Sequence, residues 1–376
     1  MDKKSRNYLE KLINGFGPSG FEREVVRVVK DYVKGFSDNI SQDKLGSLLF
    51  EKKGSSEKPV IILPGHVDEI GFVISGIHEK GFLYFNTIGG WFDQVLLGQR
   101  VLIRTVKGDI HGIIAAKPPH LLSPEERTKV VEKSKMFIDI GCSNKREATE
   151  MGVRIGDPVM PFSRFSTTEK KVFEVKNGKE TEKGSMELAI GKAFDDRIGA
   201  FMASETIRRL KEQNISHPNT IIGIATVQEE VGLRGARTAG WIAEPDICIT
   251  LETDIAGDVP GIEPYQAPAV MGKGPSVLTF DASMIPNQIL KELVISTAEK
   301  NNIPYQLSQV AQGGTDAGAV HILRAGCPSI VLGVPTRHIH SHAGILSLED
   351  VENCIKLLVE LIKIIDTKTA DSFIML

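Results

Sequence analysis

The sequence predicts an α/β protein whose core is built from both ends of the chain and encloses a small β domain. Helical spacing of apolar residues alternates with buried strands before about residue 71 and again after about residue 166. Between these two segments the strands are short and broken by glycine and proline. With 376 residues the chain exceeds the size of one ordinary hydrophobic core, so a large domain that carries an insertion fits its length.

The N-terminal segment, residues 1–71, begins with predicted helices and continues into a strand. YLEKLI and EREVVRVVKDYVKGF place apolar residues on one helical face, and PVIILPG is typical of a buried strand that ends in a turn. The next segment, residues 72–165, contains short strands without a long amphipathic helix: GFVISGI, GFLYFNTIGG, QRVLIRTVKGDIHGIIAAK, MFIDIG and IGDPVMP. We therefore predict that residues 72–165 form an inserted β-barrel domain.

The alternation of helices and strands resumes in residues 166–376, which we assign to the same domain as residues 1–71. Helical spacing is found in DRIGAFMASETIRRLKEQ, IPNQILKELVISTAEKNN and LEDVENCIKLLVELIKII, and strands are predicted for TIIGIATV, DICITLE and PSIVLGV. Ser347 is expected to cap the last long helix, with Asp350 three residues later.

Composition excludes several classes of partner. The formal net charge is -3, with 25% charged and 41% hydrophobic residues, which predicts binding to neither nucleic acid nor a membrane surface. No stretch approaches 18 uncharged apolar residues, and we expect no export signal in the charged first residues. The four cysteines, Cys142, Cys248, Cys327 and Cys354, are far apart and are expected to be buried thiols. We therefore expect a cytoplasmic protein.

Polar side chains follow four of the predicted strands. These side chains are His66 after the first strand, Glu229 and Glu230 after the second, Glu252 and Asp254 after the third, and His338, His340 and His342 after the fourth. Ligands of open α/β sheets bind outside the carboxyl ends of the strands, so we expect all four groups to meet in one crevice.

A fifth group, Asp195 and Asp196, opens a predicted helix. A helix cap accounts for one aspartate but not for two. Together with the strand-end residues, the pair forms a set of nitrogen and oxygen ligands without a thiolate. Such a set suits Zn²⁺, Co²⁺ or Mn²⁺ in a hydrolytic site better than a structural zinc or an all-oxygen Ca²⁺ or Mg²⁺ cage.

Six motifs occur in a specific order: GHVDEIGF, KAFDDRIG, QEEVGLRGA, ETDIAGDVPG, GGTDAG and RHIHSHAG. In that order they resemble the family 42 dinuclear metallo-aminopeptidases, which include glutamyl aminopeptidases and tetrahedral self-assembling aminopeptidases. The resemblance begins at GPSGFE, residues 17–22, and continues almost to the end of the chain. It implies a mixed-sheet zinc-peptidase core sandwiched by helices, with an inserted small β-barrel that mediates dimerisation.

The resemblance also implies roles for single residues. Asp195 would bridge two metal ions and be followed by a cis peptide bond, and Glu229 would be the general base. The other implied metal ligands are His66, Glu230, Glu252 and His340, with Asp68 as the carboxylate that orients His66. Many relatives carry aspartate at the position of Glu252. Asp254, two residues later on the same strand face, therefore remains an alternative ligand.

The expected activity is removal of N-terminal amino acids from short peptides with a free N-terminus. Two divalent ions per subunit, Zn²⁺ or Co²⁺ with Mn²⁺ as a further candidate, would activate a water from which Glu229 takes the proton. Thr315 and Asp316 of GGTDAG are expected near the substrate, without assigned roles. The resemblance further implies a homo-oligomer in which dimers assemble into a tetrahedral dodecamer.

Three alternatives remain open at this point. A deacylase or carboxypeptidase could use nearly the same ligands. A glycoside hydrolase also needs paired carboxylates, but it usually adds aromatic platforms, and this chain has only two tryptophans and 6% aromatic residues. An inactive assembly scaffold would not need Glu229.

Overall fold

The computed structural model describes residues 1–176 and 179–374, so residues 177–178 and 375–376 of the segment predicted for the core domain lie outside the described residues. In chain order the strands are β1 (Asn39–Gln42), β2 (Leu48–Lys53), β3 (Val60–His66), β4 (Gly71–Ile77), β5 (Leu83–Ile88), β6 (Arg100–Thr105), β7 (Gly108–Ala115), β8 (Phe137–Asp139), β9 (Pro158–Pro161), β10 (Ser166–Lys176), β11 (Lys179–Gly191), β12 (Thr220–Thr226), β13 (Ile247–Ile255), β14 (Ser276–Asp281), β15 (Gln306–Val310), β16 (Ser329–Arg337) and β17 (Gly344–Ser347). The helices are α1 (Lys3–Asn14), α2 (Arg23–Val33), α3 (Lys145–Glu150), α4 (Phe194–Glu212), α5 (Arg234–Ala243), α6 (Gln288–Lys300), α7 (Asp316–Val320), α8 (Leu348–Ile364) and α9 (Thr367–Asp371).

A large mixed sheet forms the core, with the strand order β1-β2-β12-β3-β13-β16-β17-β11-β10, with β14 paired to β16 and β15 paired to β14. Its centre is parallel, because β12 pairs with β3, β3 with β13, and β13 with β16 in that sense. These are the four strands that the sequence predicts to lead into polar residues. Their carboxyl ends therefore meet at one edge of the sheet.

Helices cover both faces of the sheet because each presents an apolar stripe. On one face, α1, α2, α4, α6 and α8 bury residues such as Leu9, Val25 and Phe201 in the main core cluster. On the other face, α5 and α7 pack small residues, among them Ala239 and Ala319, against β3 and β13. Ser347 caps α8 by accepting hydrogen bonds from the backbone N–H groups of Glu349 and Asp350, as predicted from its position.

The strands β4-β5-β8-β7-β6-β9 form a closed barrel between β3 and β10. Its neighbouring strands are antiparallel, and alternate residues such as Phe72, Ile103 and Ile138 fill a separate core. The predicted fold class, an α/β core with an inserted β-barrel, is confirmed. The first barrel strand begins at Gly71 and the last ends at Pro161.

The two chain segments that flank the barrel are tied together by buried charges. Glu69 precedes β4, and its carboxylate accepts hydrogen bonds from Lys192 (2.6 Å) and Arg197 (2.8 Å). Lys192 lies just before α4, and Arg197 lies in the first turn of that helix. Burial lowers the pKa of Lys192 to about 7, although the Glu69 carboxylate opposes that shift. Arg197 also donates to five backbone carbonyls, including those of Gly15 and Val67.

Two further expectations concern single features. No helix among the described residues has both the length and the apolar content that a membrane crossing requires. Cys248, Cys327 and Cys354 are buried, but the expectation of a buried thiol is wrong for Cys142, which is partly exposed. The reason is its place in a surface turn after β8, where the polypeptide leaves the barrel wall.

Close packing of β3 on α4 fixes the strand that ends in His66. A Cβ atom added at Gly65 would lie 2.3 Å from the backbone nitrogen of Ala200, which no side-chain movement can relieve. We predict that Gly65→Ala lowers the free energy of unfolding by about 1–3 kcal/mol, the usual cost of overpacking. Urea unfolding measures this change, and Gly35→Ala, where nothing lies within 4 Å of the added atom, is the control. Equal stability of the two variants would contradict the close approach.

Candidate active site

One carboxylate joins two histidines at the sheet edge. Oδ1 of Asp195 lies 3.1 Å from Nε2 of His66, and Oδ2 lies 3.3 Å from Nε2 of His340. Burial alone would raise the pKa of Asp195, but the hydrogen bonds to His340 and His66 bring it below its ordinary value. Asp195 therefore offers one carboxylate oxygen to each of the two histidines and connects them.

The second aspartate of the pair performs a different task. The peptide bond between Asp195 and Asp196 is cis, as the resemblance implies. Asp196 accepts hydrogen bonds from the backbone N–H of Gly199 (3.0 Å) and of His66 (3.1 Å). A bond to the N–H three residues later is the pattern of a helix cap. Asp196, whose backbone is not helical although it lies within α4, thus caps the helical run that follows it and holds the end of β3, while Asp195 faces the histidines.

Asp68 lies beneath the site and connects three of its segments. Its carboxylate accepts hydrogen bonds from the backbone N–H of Glu229 (3.0 Å) and of Glu230 (3.1 Å) and from Oγ of Ser19 (2.7 Å). Nδ1 of His66 lies 3.2 Å from the backbone oxygen of Asp68 and 3.5 Å from its carboxylate. Asp68 is therefore placed to orient His66, and it also holds the backbone of both glutamates.

The adjacent glutamates follow β12 and point to different histidines. Oε2 of Glu229 lies 3.8 Å from Nε2 of His66, and Oε2 of Glu230 lies 3.7 Å from Nε2 of His340. The preceding residue, Gln228, has a left-handed backbone (φ 56°) that turns the chain toward the site. Burial and neighbouring carboxylates raise the pKa of Glu229 well above its ordinary value. Burial and the charge of Asp195 raise the pKa of Glu230 to about 8.

The two acids of β13 have different surroundings. Both acids lie within β13, which continues to Ile255, three residues beyond the predicted strand DICITLE. Glu252 lies in a compact group with His66 and Asp196, whereas Asp254 belongs to neither candidate metal group of the described residues. Burial and the charge of Asp196 raise the pKa of Glu252 well above its ordinary value.

The side chains are compatible with metal binding. Ligand atoms within 4.8 Å of one another occur in two overlapping groups: His66, Asp196 and Glu252, and His66, Asp195 and Glu230. Both groups offer imidazole nitrogen and carboxylate oxygen without a thiolate, which suits a hydrolytic transition-metal site. Since the two groups share His66 and use adjacent aspartates, they describe one continuous centre.

The remaining predicted neighbours surround this centre. His338 is exposed, and His342 is buried with its ring centroid 5.3 Å from that of Trp91. Thr315 donates to the carboxylate of Asp281 (3.1 Å) and lines the cavity beside the site. Asp316 is buried behind this cavity, and burial raises its pKa to about 6.

Three features of the site were missed in the sequence. The sequence indicates Asp196 only as part of an aspartate pair, assigns no role to Ser19 of GPSGFE, and marks the carbonyl of Gly90 by no side chain. That carbonyl accepts a hydrogen bond from Nδ1 of His340 (2.8 Å). The pair of glycines before Trp91 is the one trace of this contact in the sequence.

The fold and the site define a class of protein: α/β enzymes with histidines and carboxylates, compatible with metal binding, at the ends of parallel strands. The model of the M42 glutamyl aminopeptidase family matches residues 46–357. The chain belongs to that family and is a peptide-bond hydrolase.

Individual relatives agree with this assignment over nearly the whole chain. A TET aminopeptidase from a marine sediment archaeon of the Thaumarchaeota is 55% identical, covers 99% of each chain and superimposes with a TM-score of 0.92. The lysyl aminopeptidase of Pyrococcus furiosus is 31% identical over 352 residues, 93% of this chain and 94% of its own. The TET1 peptidase of Pyrococcus horikoshii, which can assemble into a tetrahedron or a large octahedral shell, is 32% identical, covers 96% of this chain and 100% of its own, and has a TM-score of 0.80.

The contacts of Asp68 generate a prediction. An amide has one acceptor oxygen, so Asp68→Asn would leave the N–H of Glu229 or of Glu230 without its partner. We expect kcat/KM on peptide substrates to fall by about 10–100-fold, the usual effect of changing a residue that orients metal ligands. Ser19→Ala, which leaves both acceptor oxygens in place, should cost less. Unchanged kinetics in Asp68→Asn would show that these backbone bonds do not position the glutamates.

Proposed function

We propose that the protein is a dinuclear metal-dependent aminopeptidase in which Glu229 is the general base. The observation that carries this proposal is the contact of Asp195 with both His66 and His340, with a glutamate beside each histidine. His66, Asp195, Glu230, Glu252 and His340 would hold two divalent ions, Zn²⁺ or Co²⁺, with Mn²⁺ as a further candidate. When bound, such ions lower the pKa of a water molecule to about 7 and polarise the peptide carbonyl.

Glu229 is suited to proton transfer because of its environment. Its side chain is 9% exposed and borders the cavity, so it can reach a substrate group while most of it is shielded from solvent. Burial raises its pKa, which makes the carboxylate a stronger proton acceptor, and the bound proton can later pass to the leaving amine. Asp68 fixes its backbone, and Glu230 beside it is left to bind metal.

The substrate would enter a small cavity next to these residues. The cavity has a volume of about 130 Å³, which suits one amino-acid side chain rather than several residues on both sides of the cleaved bond. Leu278 and Val310 supply apolar walls, and the loop 312–315, which ends at Thr315, also lines the cavity. A free α-amine at the site would place the first peptide bond of a short peptide beside Glu229.

Two alternative activities receive less support. Among the described residues that line the cavity there is no phenylalanine, tyrosine or tryptophan, so a glycoside hydrolase would lack its aromatic platform. A deacylase or carboxypeptidase would accept substrates whose α-amine is blocked. That difference is open to a direct test.

We also propose a homo-oligomeric assembly, in which dimers formed through the domain of residues 72–165 build a tetrahedral dodecamer in the cytoplasm. Supporting the proposal, the TET1 relative assembles into shells. In the barrel segment, Phe92, Ile113 and Leu121 are apolar side chains that are at least half exposed, and such groups often lie in interfaces.

Glu229→Gln tests the proposed base. Aminoacyl-4-nitroanilides and their N-acetylated forms would be assayed with Co²⁺, with Zn²⁺ and with a chelator. We expect cleavage of the free-amine substrates alone, loss of that cleavage with chelator, and a decrease of about 10²–10⁴-fold in the variant, because it cannot accept the proton.

Metal content separates this loss from failure of the site. Glu229→Gln should keep two ions per subunit, His340→Ala should keep fewer, and Glu57→Gln on the exposed surface should behave as wild type. Comparable cleavage of the acetylated substrates would favour a deacylase, and full activity in Glu229→Gln would exclude this residue as the base.

The charge of the cavity predicts a side-chain preference. No lysine or arginine lines it within the described ranges, and three of its carboxylates, Glu229, Asp254 and Asp281, lie outside both candidate metal groups. We expect kcat/KM for an N-terminal glutamate to be at least about tenfold below that for glutamine, because like charges repel in a shielded site. Glutaminyl and glutamyl nitroanilides have nearly equal size, so the pair isolates the effect of charge. Faster cleavage of the glutamyl substrate would contradict the prediction.

A further inference from the structure

Residues 89–91, which form the loop after β5, extend from the barrel to the residues proposed as metal ligands. We call these residues the barrel loop. Within it, the carbonyl oxygen of Gly90 lies 2.8 Å from Nδ1 of His340. A carbonyl oxygen can only accept a hydrogen bond, so Nδ1 must carry the proton. When the imidazole is neutral, the other ring nitrogen, Nε2, is the one that offers a lone pair, and it faces Asp195 and Glu230 at 3.3 and 3.7 Å.

We propose that the barrel loop is a positioning element of the catalytic site, which fixes the tautomer and ring orientation of His340 through the carbonyl of Gly90. The proposal rests on the proposed function, in which Nε2 of His340 is a metal ligand. Ligating histidines usually donate their second N–H to a fixed acceptor, and the acceptor sets the ring direction and basicity. Here the acceptor comes from the inserted domain and not from the α/β core.

The shape of the barrel loop leaves no room for side chains at the contact. Gly89 has φ +76°, and a Cβ there would lie 2.5 Å from Cγ2 of Ile70 and 3.3 Å from Oε2 of Glu230. A Cβ on Gly90 would lie 3.1 Å from Nδ1 of His340. Glycine at both positions therefore lets the backbone of the barrel loop approach the side chains of Glu230 and His340 closely, as a direct carbonyl contact requires.

Trp91 fixes the barrel loop to the barrel wall. Its ring stacks on that of Phe72 with centroids 4.8 Å apart, and its Nε1 donates to the carbonyl of Gly71 (3.0 Å). The same ring lies against His342, with centroids 5.3 Å apart. Trp91 therefore contacts both the barrel and the segment that carries His340, and these contacts hold the Gly90 carbonyl beside the imidazole.

The segment that carries His340 depends on such outside contacts. His338 and His340 have left-handed backbone conformations, with φ of 62° and 53°. These conformations are uncommon for residues other than glycine and are kept when surrounding structure determines them. The bond from Gly90 and the ring of Trp91 are contacts of this kind.

Gly90→Ala and Trp91→Phe test the proposal on the full-length protein. Alanine pushes against the imidazole, while phenylalanine keeps an aromatic ring on Phe72 and removes the indole N–H. Co²⁺ and Zn²⁺ would be titrated into metal-free protein, with affinity measured by calorimetry and Co²⁺ geometry by visible absorption. Gly76→Ala is the control, because it adds a methyl group to the same barrel beside the edge of the Tyr84 ring.

We expect the weaker of the two metal-binding steps to lose about 10–100-fold in affinity in Gly90→Ala and less in Trp91→Phe, with a changed Co²⁺ spectrum in both. The thermal unfolding of metal-free Gly90→Ala should match that of Gly76→Ala, whereas Trp91→Phe is expected to unfold at a lower temperature because it loses a buried hydrogen bond. In assays at saturating metal, kcat should fall more than KM rises.

The outcomes distinguish this inference from the proposed function. If Gly90→Ala and Trp91→Phe bind both ions with the affinity and Co²⁺ spectrum of the wild type while His340→Ala loses one ion, the positioning role is overturned and the ligand assignment stands. If His340→Ala itself retains both ions, the ligand assignment fails, and the inference fails with it.

Discussion

The Asp68 carboxylate is the contact on which the arrangement of the site depends. It accepts the backbone N–H groups of Glu229 and Glu230, and it lies beside the imidazole of His66. These residues follow β12 and end β3, which are parallel neighbours with Thr226 opposite His66. One further bond joins the N–H of Val67 to the carbonyl of Thr226 (2.9 Å), and after it the described pairing of the two strands ends. A buried N–H without an acceptor costs about 1–3 kcal/mol, and Asp68 removes this cost for both glutamates at once.

The balance of charge at the strand ends explains why so many pKa values shift. Glu229, Glu230 and Glu252 are buried close to Asp195, and burial raises the pKa of all three glutamates. The histidines oppose this shift and themselves become more basic: side-chain hydrogen bonding to Asp195 raises the pKa of His340 to about 10. Two histidines cannot neutralise this number of carboxylates. A divalent cation compensates such a cluster more effectively than protonation, because it leaves the oxygens available as ligands.

Much of the fold and most of the candidate site could be predicted because both depend on periodic patterns. The barrel follows from alternating short strands, and His66, Glu229 and Glu230 follow from their place after apolar runs. Alternation could not separate Glu252 from Asp254, since residues two apart face the same side of a strand. The distinction depends on the position of the neighbouring α4 helix. That is a long-range feature which no local pattern contains.

Contacts made by the backbone are the other part that the sequence could not predict. Every residue except proline has the same N–H and carbonyl groups, so the acceptor role of Gly90 has no residue-specific sign. The different roles of Asp195 and Asp196 could not be predicted for a related reason, because they depend on which of the two carboxylates accepts the N–H of Gly199. Side-chain identity indicates which chemistry is available, and tertiary structure decides which atom performs it.

The place of the insertion in the chain links the barrel to the chemistry. The barrel leaves the core just after His66 and Asp68 and returns before Asp195, so both connections lie at the carboxyl edge of the central strands. The buried contacts of Glu69 with Lys192 and Arg197 close the base of the insertion. Removing one partner of a buried ion pair would leave an uncompensated charge, so the base of the insertion depends on keeping these contacts intact. A barrel attached at this point can bring its own backbone to the site, and Gly90 does so within hydrogen-bond distance of His340.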